Sequence, residues 1–101
     1  MSRADFNSHM EKDARLVILK ELAAQTNYTL NDTILQKVLE AFGHNRSRDW
    51  VKTQLRVLVD LGAVTIQETG TVMIATITDA GIDHCLRRRI IEGVLRPSAG
   101  A

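Results

Sequence analysis

Six side chains packed into eleven residues could do chemistry together: Arg46, Ser47, Arg48, Lys52, Thr53 and Arg56. Lys and Arg gain affinity for a polyanion by displacing its condensed counterions, and a guanidinium can also donate to guanine through two N–H groups at once. Arg48, Lys52 and Arg56 recur every fourth residue, so a helix sets them in a row with Thr53 beside it. The opposite face of that helix carries Val51, Leu55 and Leu58. An apolar stripe backing a row of cations suits a DNA major groove. On this reading Arg46 and Ser47 hold the helix start on phosphate, Arg48, Lys52 and Thr53 reach toward bases, and Arg56 holds the far backbone. The charge is local: residues 46–56 set four cations against Asp49 alone, residues 1–30 balance four basic with four acidic side chains, and the whole chain is only +1.

Other reactive side chains are scattered. His9, His44 and His84 lie far apart, and the chain has no His-x-x-His, Cys-x-x-Cys, glycine-rich phosphate loop or serine nucleophile elbow. Asp79 and Asp83 share a helix face without a third ligand type, which reads as surface charge. The lone Cys85 has no partner for a disulfide or zinc and reads as a half-buried helix residue. The expectation is a protein that is not an enzyme, with no cofactor, metal or small-molecule substrate. Trp50 is expected to pack at the core rim, and Arg87, Arg88 and Arg89 to be solvated.

The elements that must position the cations follow from period and punctuation. Met1 to Asn7 is expected to fray, and Ser8 with Glu11 has capping-box spacing for a first helix ending near Gln25. Tyr28-Thr29-Leu30 is extended, Asn31 caps a second helix, and Gly43 stops it after Phe42. Ile34, Leu35, Val38, Leu39 and Phe42 form its expected buried stripe. The polar link Gly43-His44-Asn45-Arg46 is too short to let the second and third helices part, which is helix-turn-helix geometry, and Ser47 caps the third. After Gly62 the period changes to two, and Glu68-Thr69-Gly70 turns a hairpin into the β-branched stretch Thr71 to Thr78. Thr78 caps a last helix expected to carry Ile82, Leu86 and Ile90 in register, together with the three arginines.

Helix, short strand, helix, helix, β-hairpin wing and C-terminal helix make an α+β fold of the winged helix-turn-helix kind. The expected organisation is a flexible N-terminus over 1–7, one domain over 8–91 and a flexible tail over 92–101. The wing tip, Gln67 to Thr71, offers no cation, and Glu68 there repels phosphate, so the wing adds little to DNA contact. Its second strand has apolar residues on both faces, Val72 and Ile74 on one and Met73, Ala75 and Ile77 on the other. One face must meet the core. The other leaves room for a homodimer through the wing and C-terminal helix, or for cover by the first helix or the tail.

An apolar fraction of 45% and a charged fraction of 25% describe an ordinary globular chain. With no membrane-length apolar run and no signal-peptide pattern, a cytoplasmic location is expected. The chain resembles small proteins of Mu-like bacteriophages and prophages in several stretches. These are Asp13-Ala14-Arg15-Leu16-Val17-Ile18-Leu19, Leu35 to Gly43 with His44, Ser47-Arg48-Asp49 with Val51 and Leu55, and Val94-Leu95-Arg96-Pro97. That resemblance implies a phage origin and a winged-helix fold. Ser47 to Gly62 is also similar to the recognition-helix segment of many small bacterial repressors. The expected function is binding of double-stranded DNA in transcriptional regulation of phage genes. The alternative is a protein interaction module in phage packaging or assembly.

Overall fold

The two periods resolve into α1 (Arg3–Ala24), β1 (Thr29–Asn31), α2 (Asp32–Ala41), α3 (Arg48–Asp60), β2 (Val64–Thr69), β3 (Val72–Ile77) and α4 (Asp79–Cys85). They lie within residues 2–98, the part of the chain that the computed structural model describes. The strands form one antiparallel sheet in the order β1-β3-β2. Four helices on such a sheet make an α+β arrangement compatible with a winged helix.

Opposed residues of an antiparallel pair share a face, so Leu30, Ala75 and Ile66 point one way while Thr29, Thr76 and Thr65 point the other. On the inner face Met73, Ala75 and Ile77 are buried in one cluster with Ile18, Leu19 and Leu22 of α1, Leu35 and Leu39 of α2, and Leu55 and Leu58 of α3. Trp50 and Leu61 pack against this cluster from its rim. On the outer face Val72 and Ile74 are half-buried and interrupted by polar neighbours: Thr69 opposes Val72, and Asn31 and Gln67 flank Ile74. The outer face is therefore less apolar than one strand read alone suggests.

Side-chain caps fix three helix starts where the sequence places them. Asn31, Ser47 and Thr78 accept the N–H groups of Ile34, Trp50 and Gly81 respectively. The first helix differs. It begins at Arg3, with the Ser2 hydroxyl accepting from Asp5 N–H, and Ser8 sits exposed within it. Ser2 and Asp5 have the same spacing as Ser8 and Glu11, and nothing between them breaks a helix. Residues 3–7 thus continue α1 instead of fraying. In the segment expected to be a flexible tail, Val94 and Pro97 are buried and Leu95 N–H bonds Lys12 O at 3.2 Å. Met1 and Ala99–Ala101, the rest of the two expected flexible ends, lie outside the described residues.

Two apolar assignments also change. Leu35 and Leu39 of α2 are buried, but Ile34 is 47% and Phe42 63% exposed. The helix turns Asp32, Leu35 and Leu39 inward, and Phe42 lies past its end. The last helix stops at Cys85, so Leu86, Ile90 and the three arginines are not on it. Arg88 N–H bonds Asp83 O at 2.9 Å and Arg87 N–H bonds His84 O at 3.1 Å, the paired bonds that close a helix around a left-handed residue. Gly43 and Gly62 fill the left-handed position after α2 and α3, whereas after α4 it is Arg87, at φ 63°.

That position predicts a stabilising change. A left-handed L-residue costs roughly 1–2 kcal/mol, and glycine costs roughly 0.4–1 kcal/mol through the unfolded chain. Arg87→Gly is therefore expected to gain about 0.5 kcal/mol, read from the urea unfolding midpoint. A loss of stability would show that the Arg87 side chain has a compensating contact.

His84, 1% exposed, secures the segment beyond α4. Its Nδ1 accepts from Ile91 N–H at 3.1 Å, so the ring proton lies on Nε2 and is donated to Leu95 O at 2.9 Å. Next to it, burial pushes the Cys85 thiol up, against a smaller downward pull from Lys20, which keeps it protonated and a poor nucleophile.

Candidate nucleic-acid interface

The six predicted side chains follow one another on the turn and α3, but the fold divides them. Ser47 is the cap of α3, its hydroxyl oxygen accepting from Trp50 N–H at 3.1 Å. The exposed Arg46 guanidinium lies over the Trp50 ring, 4.9 Å from its centroid, and its backbone is held by Gln36, whose Nε2 donates to Arg46 O. Cation–π contact and the apolar seat of Trp50 thus fix this corner. Thr53 is exposed and donates to Asp49 O. Arg56 is exposed and has no ion-pair partner among the described residues.

Arg48 and Lys52 are turned inward instead. Arg48 Nε donates to Asp32 Oδ2 at 3.0 Å, and Lys52 Nζ lies 3.6 Å from the same oxygen. Both also reach the wing turn, Arg48 Nη2 donating to Thr71 O at 2.8 Å and Lys52 Nζ to the same carbonyl at 2.6 Å. Asp32 is fully buried at the first position of α2, where its charge also favours the positive helix end. One carboxylate and two cations therefore join α2, α3 and the wing. Asp32 and the Thr71 carbonyl are the partners that the motif reading missed. The available signal was phase: Asp32, Leu35 and Leu39 fall on one face, and a carboxylate on a buried stripe must be paired.

This pairing changes the field of the face. Along the sequence, four cations oppose only Asp49. In space Asp32 joins the count, and Glu68 lines a small cavity of about 70 Å³ with Lys52 and Arg56, so the local excess falls from three to one. A larger groove of about 370 Å³ lies between α3 and β2, with Val59, Ile66 and Met73 inside and Arg56, Asp60 and Glu68 at its edges.

Two other buried polar contacts tie the elements together. His44, 3% exposed, meets Asp13 at 2.7 Å, and Arg15 Nε donates to the buried Gln54 at 2.8 Å. No buried side-chain nitrogen or oxygen among the described residues lacks a partner. Among the same residues there is no cluster of three or more His, Cys, Asp or Glu that could hold a metal, and no helix is long and apolar enough to cross a membrane.

No family model matches the chain, and no solved structure matches it. It is similar to the protein gp26 of Escherichia phage Mu, 38% identical over 91 residues that cover 90% of this chain and 94% of gp26. It is also similar to a protein of Haemophilus influenzae, 36% identical over 74 residues, 72% of each chain. The phage association expected from the residues stands on these matches. With 38% identity over nearly the full length of both chains, the protein belongs to the phage-associated family of Mu gp26.

Proposed function

We propose that this chain is a winged-helix protein that binds double-stranded DNA through α3 and acts in the regulation of phage genes within the bacterial host cytoplasm. The observation that carries the reading is topological: a strand, two helices joined by a tight turn, and a hairpin whose last strand pairs between the other two. In that arrangement α3 is the groove-facing helix, and it offers Thr53 and Arg56 to solvent with Arg46 at its start.

The residue roles are then redistributed. Arg46 and Arg56 contact phosphate, Thr53 reaches toward a base, and Ser47 sets the helix start. Arg48 and Lys52 hold the wing against α3, with their outward N–H groups left for the backbone. The test is a fluorescence anisotropy titration on phage and host DNA across a salt series, comparing wild type with Arg46→Ala/Arg56→Ala. Each lost phosphate contact lowers the slope of log affinity against log salt by about 0.9, so the double variant should lose roughly 1.8. Salt-insensitive or undetectable binding by the wild type sinks the reading.

A second reading, a winged-helix module for protein interaction in phage packaging or assembly, draws on two observations. The cationic excess at α3 falls to one, and Ile34 and Phe42 are left exposed around α2. Wild type without salt-sensitive DNA binding would favour it.

A further inference from the structure

Phe42 is 63% exposed, yet the turn that carries it is fixed from several sides. Gly43 N–H bonds Glu40 O at 3.0 Å and His44 N–H bonds Leu39 O at 2.8 Å, closing α2. The buried His44 ring then pins the turn to α1 through Asp13. A ring carried on a fixed turn loses only its own side-chain freedom when it is covered, which favours it as an interface anchor.

Beside the ring runs a groove of about 420 Å³ between α1 and the segment around Pro97. Leu16, Val17, Leu95 and Pro97 supply its apolar lining together with Phe42 itself, whose ring is part of the wall. Asp13 and Glu21 stand against Lys20 and Arg96 among its charged residues, two of each sign. The exposed ring and the groove it borders thus form one surface, and the charges around them cancel. A two-fold contact between identical copies sets each patch against itself, so a patch without net charge meets no overall repulsion there. A strongly charged partner would find no net field to meet.

We propose that this face is a self-association surface, on which Phe42 of each copy enters the groove of the other and covers Val17 and Leu95. Lys20 and Arg96 of each copy face Glu21 and Asp13 of the other. The contact is separate from the wing and from α4, and it does not depend on the DNA reading.

Sedimentation velocity over a concentration series tests it. Wild type is expected to dimerise reversibly, and Phe42→Ser to raise the dissociation constant at least about tenfold, as loss of an aromatic anchor does. The variant's circular dichroism and melting should match wild type, since the ring is exposed. Lys20→Glu should weaken association as well, and the swap Lys20→Glu/Glu21→Lys should restore it; these two decide the matter if Phe42→Ser does not fold. A wild type that stays monomeric into the high micromolar range, or a dimer indifferent to both Phe42→Ser and Lys20→Glu, overturns the proposal.

Discussion

Changing Arg48 and Lys52 together to Met is expected to cost about 4 kcal/mol of stability, because it strands a buried carboxylate. Either change alone leaves Asp32 with one cation. Each single variant should then lose only about 1 kcal/mol, at the low end for charged hydrogen bonds because the Arg48 side chain is 35% exposed and partly screened. The excess of the double loss over the sum of the singles measures the shared partner. Adding Asp32→Asn to the double variant removes the stranded charge and should recover at least about 2 kcal/mol. Urea denaturation followed by circular dichroism reads all four variants against wild type. Single losses that add to the double loss within about 0.5 kcal/mol would show that the three side chains do not form one unit. The same arithmetic bears on the functional test: lost DNA binding in the Arg48/Lys52 double variant would report a loosened fold, so Arg46 and Arg56 are the informative positions.

Gly81→Ala should be nearly as damaging, although a helix interior ordinarily favours alanine. A Cβ at this position would stand 2.5 Å from Ala63 O and 2.6 Å from Ile77 Cγ1. The Ile77 side chain can yield somewhat. The carbonyl is backbone and already accepts Thr78 N–H at 3.0 Å, so moving it breaks the junction between the loop after α3 and the start of α4. Helix propensity returns about 1 kcal/mol, against an overpacking cost of roughly 3–4 kcal/mol where backbone must shift. The net loss of about 2–3 kcal/mol should lower the melting temperature by roughly 10–20 °C in a domain of this size. A melting temperature equal to or above that of wild type would mean that α4 can slide away from Ala63 without cost.

Much of the fold was readable because local chemistry and global arrangement agree. Asn31, Ser47 and Thr78 cap the helices they precede, and Gly43 and Gly62 end them. The hairpin also appears, with its turn displaced to Gly70 and Thr71 because Thr69 still pairs with Val72. The misplaced boundaries have physical causes: two serines with equal capping spacing at the N-terminus, and a helix end at Arg87 where no glycine announces it. The candidate site was less readable. Arg48 and Leu55 are seven positions apart, two turns of helix, and so point in nearly the same direction. Arg48 therefore borders the buried stripe and does not oppose it, and only Arg56 and Thr53 stand well away from the core. Charge read along the chain also cannot register Asp32, which arrives from α2.

The sheet order has a kinetic consequence. β3 lies between β1 and β2 yet comes last of the three in the chain, and Thr29 of β1 meets Thr76 across 47 positions. Arg15 reaches Gly93 O across 78. The α2–α3 pair and the β2–β3 hairpin can each assemble from neighbours, but the pairing of β1 with β3 and the packing of α1 on β3 and α4 form only after long loops close and their entropy is lost. Refolding should accordingly be slower than in an all-helical chain of equal length, with the docking of α1 and β1 onto β3 as its slow step.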